Sequence, residues 1–489
     1  VALARRRAPG GQATVSIRRA LFWSTAERYV GLLLNFVLIV VLSRLLTPAE
    51  VGIMQLGWMV MVLTETLRDF GIGSYLVQRP ALSPVEVRTA FTFSLVLAIV
   101  PTWALVAGAG AIAAFYDEPG VRAFLRVYGP TLLLAPFSAI PLALLRRDLE
   151  FGKLAFINLA CALLNVVTTT GLVLLGLRYM SSAWAAWVWG VGFIVLTQWV
   201  RPDLSAFRLS VAGWRSVLPF GAYSVVPEVL QRLWEFLPTL VVGRVVSVGA
   251  LGIFDRAAKI AELPQKLGTI GVRAVALPGF ATQARAGGSL SAAYLDAVEH
   301  VTAVQWPGLL LLVLLAEPVV GLLLGPQWTA AVALTRVIAV AYLASFSQFL
   351  SSAVLVAAGH VRDTMVLALI TLPALALAFV LAARQGLFAA AVSLIAIELF
   401  RAVVANALVC RRLGIGAQAL AARLGRSLAV TAAAMVGPLA ILAARGFDPP
   451  LGLAAAAGLA ATALPGWLAG LWLTRHPLAG ELRDLLRRS

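Results

Sequence analysis

Long apolar runs without charge constrain this chain more than any other feature. The stretches Leu32 to Leu42, Phe91 to Ala114 and Met365 to Ala383 contain no Asp, Glu, Lys or Arg. The longer ones reach the length that an α-helix needs to cross the hydrocarbon core of a bilayer, about 20 residues for about 30 Å. The sustained in/out alternation of a membrane β-barrel is absent. The sequence therefore predicts an all-α, polytopic membrane protein. Composition agrees, since 61% of the 489 residues are hydrophobic and only 12% are charged, too few for the surface of a soluble domain of this size.

About fourteen candidate spans follow from apolar windows, at approximately 20–43, 51–73, 88–115, 122–145, 154–177, 181–200, 215–243, 250–280, 293–324, 330–358, 364–383, 386–409, 426–445 and 451–474. The second and eighth carry the most charge. Two starts have a local marker. Thr47-Pro48-Ala49-Glu50 and Ser83-Pro84-Val85-Glu86 both read as capping boxes with Pro at the first helical position. Trp184, Trp187, Trp189 and Trp199 lie near the two ends of the sixth span, as an interfacial aromatic belt would.

The net charge of +17 could suggest a nucleic-acid partner, but the arginines sit in short clusters between apolar runs. With the N-terminus inside, the inner segments hold Arg5-Arg6-Arg7, Arg18-Arg19, Arg146-Arg147, Arg411-Arg412, Arg423 and Arg426 among others. The outer loops hold little beyond Arg44, Arg122, Arg178, Arg244, Arg384 and Arg445. The expectation is a bacterial cytoplasmic-membrane protein with both termini cytoplasmic and no cleaved signal peptide. The tail Leu478 to Arg488 has the pattern of a short amphipathic helix, lying on the membrane or solvated. Cys161 and Cys410 imply no disulfide framework.

The chain also contains a faint copy of itself. Ser43-Arg44 with Gly52-Ile53 recurs as Gly243-Arg244 with Gly252-Ile253, an offset of 200 residues that also aligns Phe36 with Phe236 and Gly71 with Gly271. The offset spans about six helices, so the two halves are expected to point the same way across the membrane. The implied organisation is a basic N-terminus (1–19), an N-lobe (20–200), a C-lobe (201–410), two further helices (411–474) and a tail (475–489).

Enzyme motifs are scarce. His300, His360 and His476 are far apart in sequence, no metal-ligand spacing is present, and there is no Walker-type loop. Charges inside the spans are the better lead, because an ion at membrane depth is costly and tends to face a cavity or a partner. Glu228, Arg232 and Glu235, Asp255 with Lys259, Glu262 with Lys266, and Glu398 with Arg401 stand at helical spacing and can neutralise one another. Arg28 and Arg256 have no acid at their helical neighbour positions. They could form a cationic wall for a diphosphate with Lys259 and Arg232, pair with an acid from another helix such as Glu27 or Glu235, or snorkel to headgroups. Glu27 and Glu235 are candidates for binding a coupling H+ or Na+. Glu65, Arg68 and Asp69, near the inner end of the second span, read as a gate or interfacial network.

Several of these stretches are also familiar. Leu42-Ser43-Arg44-Leu45-Leu46-Thr47-Pro48-Ala49-Glu50-Val51-Gly52 resembles the first loop of bacterial polysaccharide flippases. Asp69-Phe70-Gly71-Ile72-Gly73 and Leu324-Gly325-Pro326-Gln327-Trp328 are similar to two further stretches of that family, and the likeness runs over most of residues 15–410. The family belongs to the multidrug/oligosaccharidyl-lipid/polysaccharide exporter superfamily. The resemblance implies two six-helix lobes around a central cavity, with two extra C-terminal helices. It implies alternating access without chemistry on the cargo, an undecaprenyl-diphosphate-linked oligosaccharide as substrate, and contact of Arg28 and Arg256 with its diphosphate. No bound cofactor or metal is implied. The expected context is a monomer in the bilayer, beside a polysaccharide polymerase and a chain-length regulator. A peptidoglycan lipid II flippase and a multidrug/cation antiporter of the same superfamily are the alternatives.

Overall fold

The computed structural model describes residues 10–69, 71–79, 82–212, 214–446, 452–480 and 483. The basic cluster Arg5-Arg6-Arg7, Phe70, and most of the tail pattern, including Leu482, Leu485, Leu486, Arg487 and Arg488, lie outside them. The described residues are helical throughout, with turns and no strand, as the apolar periodicity requires. They divide into two compact units, residues 1–244 and 245–489.

The first unit holds α1 (Gly10–Leu45), α2 (Pro48–Asp69), α3 (Ile72–Gln78), α4 (Pro84–Tyr116), α5 (Pro119–Tyr128), α6 (Ala135–Arg147), α7 (Phe151–Leu172), α8 (Met180–Val200) and nearly all of α9 (Trp214–Val245). The second holds α10 (Val248–Arg285), α11 (Leu290–Leu323), α12 (Ala330–Tyr342), α13 (Ser347–Ala357), α14 (Val361–Ala383), α15 (Leu387–Leu413), α16 (Ala417–Ala444) and α17 (Leu453–Leu473).

Both predicted capping boxes are present. Glu50 Oε2 accepts from Thr47 N at 2.9 Å while Glu50 N donates to Thr47 Oγ1 at 3.4 Å. Ser83 and Glu86 repeat the reciprocal pair. Each satisfies two backbone donors that the start of a helix leaves without partners.

Several single spans of the sequence reading are compound. The stretch 122–145 is α5, a 3-10 turn over Gly129–Leu134, and α6. Pro130 and Pro136 lack the amide donors that a continuous helix would use. The stretch 154–177 ends in a π turn, Val173–Leu177, where Gly176 has φ 90°. The stretch 330–358 is divided by a turn between α12 and α13. Among the described residues, nine segments are long and apolar enough to cross a membrane. The count of fourteen spans remains a proposal. α10 shows where the two differ, since Asp255, Arg256, Lys259, Glu262 and Lys266 crowd one stretch of it.

Apolar side chains cover much of the outside of the spans. On α4, Val100 is 62% and Trp103 69% exposed, an arrangement suited to lipid rather than water. Hydroxyl and amide groups turn inward and find partners there. Tyr294 donates to Asn406 Oδ1 at 2.8 Å, and Thr302 Oγ1 donates to Ser427 Oγ at 2.7 Å. Where helices approach closely, small residues permit it. A Cβ on Gly57 of α2 would fall 2.1 Å from the Phe124 ring of α5. One on Gly466 of α17 would fall 2.5 Å from the Ala433 carbonyl oxygen of α16. The chain is a multi-pass, all-α membrane protein.

Candidate functional site

In the first unit, ionisable residues of α1, α2 and α9 form the site. Glu27 of α1 is half-buried and accepts a hydrogen bond from Asn158 Nδ2 of α7 at 2.6 Å. The amide fixes the carboxylate. Arg28, the next residue, is exposed.

α2 and α9 are neighbours, with the Trp58 ring edge-on to the Phe236 ring at 5.5 Å. On α9, Arg232 binds both acids predicted for it, Glu228 at 3.2 Å and Glu235 at 2.8 Å. Glu235 also accepts from Gln231 Nε2 at 3.2 Å. On α2, Glu65 interacts electrostatically with Arg68, Asp69 and Arg232. The sequence reading kept the gate residues Glu65, Arg68 and Asp69 apart from Arg232. The structure brings them into one array spanning two helices. The Nε atoms of Arg68 and Arg232 are both buried without a hydrogen-bond partner among the described residues. Two guanidinium groups of one array thus retain donor capacity, and a phosphate oxygen is a matching acceptor.

In the second unit the expectation for Arg256 needs correction. It is not a cation without an acid, because Asp255 Oδ2 lies 3.4 Å from its Nη1. Asp255 is the adjacent residue, off the positions three and four away that share a helix face with Arg256. Arg256 is 5% exposed, and its guanidinium lies 6.0 Å from the centroid of the Trp328 ring. Asp255, expected beside Lys259, lies against Arg256. Glu262–Lys266 at 2.6 Å and Glu398–Arg401 at 3.2 Å form as predicted. Arg336 lies 3.9 Å from Glu317.

Two networks escaped the sequence reading. Glu50 of the α2 capping box also binds Arg178, through its Nε and, at 3.0 Å, its Nη2, joining the α1–α2 turn to the α7–α8 turn. The second network centres on Glu299 of α11, which is fully buried. It binds Arg423 of α16, with Arg426 at 3.5 Å and His476 at 3.7 Å. Two of the three histidines read as distant come together here, with the His300 and His476 rings 5.8 Å apart. No group of three metal-ligating side chains exists among the described residues. Glu118, in the turn between α4 and α5, has a structural task. Glu118 Oε1 caps α5 by accepting from Gly120 N at 3.1 Å.

Residues 41–333, more than half of the chain, match the family described as "Polysaccharide biosynthesis protein". The lipopolysaccharide biosynthesis protein WzxC of Escherichia coli (strain K12) is 24% identical over 329 residues, 65% of this chain and 65% of that protein. The teichuronic acid biosynthesis protein TuaB of Bacillus subtilis (strain 168) is 22% identical over 334 residues, 67% of this chain and 68% of that protein. The succinoglycan biosynthesis transport protein ExoT of Rhizobium meliloti (strain 1021) is 23% identical over 316 residues, 65% and 64%. The chain thus spans about two thirds of the length of the curated relatives it matches. Among solved structures, the lipid II flippase MurJ in an inward closed conformation superimposes with a TM-score of 0.73 at 12% identity, covering 95% of this chain and all of that one. An inward-facing multidrug resistance MATE family transporter of the MOP superfamily gives 0.62 at 17% identity, covering 78% and 94%. These likenesses establish the fold.

Proposed function

Since the chain belongs to the polysaccharide biosynthesis protein family, we propose that it carries an undecaprenyl-diphosphate-linked oligosaccharide from the inner to the outer leaflet of the bacterial cytoplasmic membrane. The transport reading rests on alternating access between two lobes and needs no covalent step. The observation that carries it is the α2–α9 array, where Arg68 and Arg232 keep buried donors beside Glu65. Guanidinium groups at membrane depth suit a cargo whose charge is a diphosphate and whose tail is hydrocarbon.

In this reading Arg28 and Arg232 contact the diphosphate. Arg256, held by Asp255 and stacked at Trp328, acts chiefly by positioning α10. Glu65, Arg68 and Asp69 switch partners as the gate opens. Glu27 and Glu235 take the coupling ion, H+ or Na+. Both termini face the cytoplasm, and a polymerase and chain-length regulator receive the exported units. The MurJ-like fold makes lipid II the competing cargo, while the family match favours a polysaccharide repeat unit.

The test is rescue of polysaccharide export in a strain lacking the protein. Wild type restores export. Arg28→Ala and Arg232→Ala are expected to abolish it at unchanged protein level. Full rescue by both variants would remove the diphosphate site from the account. Rescue of a strain depleted of its lipid II flippase, without rescue of polysaccharide export, would reassign the cargo.

A further inference from the structure

A cavity of about 620 Å³ lies at the end of α17, lined by Trp472, Leu473, Arg475, His476, Pro477 and Arg483 among others. Three features identify what it fits. Its walls differ in chemistry along one direction. Trp472 and Leu473, the last turn of an apolar span, are exposed at 62% and 70%. They present hydrocarbon to the bilayer, while Arg475, two residues on, and Arg483, ten residues on, line the same cavity and are also exposed. Among the described residues no carboxylate pairs with either arginine. A ligand filling this space must offer apolar chains to one side and an anion to the other.

The backbone at this point is unusual. Arg475 has φ 50°, the left-handed conformation that favours glycine. It occupies the turn that ends α17, with His476 N bonding Leu471 O at 2.9 Å and Arg475 N bonding Trp472 O at 3.2 Å. Glycine is the ordinary residue in such a turn. An arginine held there against its backbone preference points to a task for its side chain. The floor of the cavity is also fixed. His476 is buried, its Nδ1 accepts from Leu478 N at 3.2 Å, and its other nitrogen faces Glu299.

We propose that this cavity binds the phosphate headgroup of an anionic phospholipid, with Arg475 and Arg483 as its ligands and Trp472 and Leu473 along its acyl chains. Interfacial tryptophan next to paired arginines at a span end is the chemistry of such a contact. The site shares no residue with the α2–α9 array and does not depend on the transport reading.

The experiment uses the full chain in nanodiscs of phosphatidylcholine, alone or with one fifth phosphatidylglycerol. Thermal stability and co-purifying lipid are read together. The wild type is expected to retain phosphatidylglycerol and to melt higher in its presence. Arg475→Gly relieves the backbone, so it should melt no lower than wild type in phosphatidylcholine, yet lose phosphatidylglycerol retention by roughly fivefold. Arg483→Gln should lose a similar factor. Undiminished retention in both variants, or equal stability in the two lipid mixtures, would overturn the proposal. If inorganic phosphate in phosphatidylcholine discs protects as well as phosphatidylglycerol, the occupant is a free anion and the lipid assignment fails.

Discussion

Replacing Glu299 by Gln removes one buried charge from the second unit while leaving its volume in place. The carboxylate is fully buried, binds Arg423, and has Arg426 at 3.5 Å and His476 at 3.7 Å. A charge-assisted hydrogen bond of this kind contributes about 1.5–3 kcal/mol. The Arg426 side chain is half-exposed, so its share is small, about 0.5 kcal/mol or less. Arg423 keeps Asp296 at 3.1 Å, so its charge is not stranded. The loss therefore stays below the roughly 3–5 kcal/mol that follows from leaving a buried ion alone. Glu299→Gln should cost about 2–3 kcal/mol of unfolding free energy, measured by SDS titration in mixed micelles with tryptophan fluorescence as the signal. Arg336→Gln, which breaks only a 3.9 Å contact between two exposed groups, is the control and should cost under about 0.5 kcal/mol. A Glu299→Gln protein indistinguishable from wild type, or a control that loses as much, would refute the assignment of the buried network as a fastening between α11, α16 and the segment after α17.

The same titration repeated against pH addresses His476, whose imidazole burial holds below the usual histidine range despite the opposing pull of Glu299, with His300 and Arg426 adding to the lowering. The native state then binds fewer protons than the unfolded one. Stability should be level above about pH 6.5 and decline as pH falls below it, and His476→Gln should flatten that slope. Gly466→Leu places side-chain atoms where a Cβ already meets the Ala433 carbonyl oxygen at 2.5 Å, and should cost about 1–3 kcal/mol in the titration. Glu50→Gln loosens the tie to the exposed Arg178 and should raise hydrogen exchange at the α7–α8 turn, with a change in global stability of about 1 kcal/mol or less. Arg232→Lys keeps the charge but loses the planar fork. It should export polysaccharide about tenfold more slowly than wild type while melting within a degree or so of it.

What the sequence made legible was local. The two capping boxes and the pairs Glu262–Lys266, Arg232–Glu235 and Glu398–Arg401 depend on residues three or four apart, and helical geometry alone brings them together. Partners joined by folding were hidden. Arg178 reaches Glu50 across 128 residues and Arg423 reaches Glu299 across 124, and no periodicity announces either. The meeting of Glu65 with Arg232 has the same origin, since it depends on α2 packing against α9. Arg256 was misread for a different reason. A flexible acid beside it in sequence, Asp255, can bend back onto it although the two sit on different parts of the helix surface. Gly466 and Gly470 stand four apart in an apolar span, the pattern that lets two membrane helices approach closely, and both face α16.

The central claim is movement of a lipid-linked oligosaccharide between leaflets, and leaflet-resolved labelling tests it most directly. Intact spheroplasts from a strain lacking the protein, and from the same strain expressing it, would be exposed to a membrane-impermeant reagent that modifies the sugar of the lipid-linked unit. A polymerase-deficient background would let unpolymerised units persist at the outer face. The account predicts that modified units are nearly absent without the protein, return with wild type, and fail to return with Arg232→Ala. Equal modification with and without the protein would contradict it.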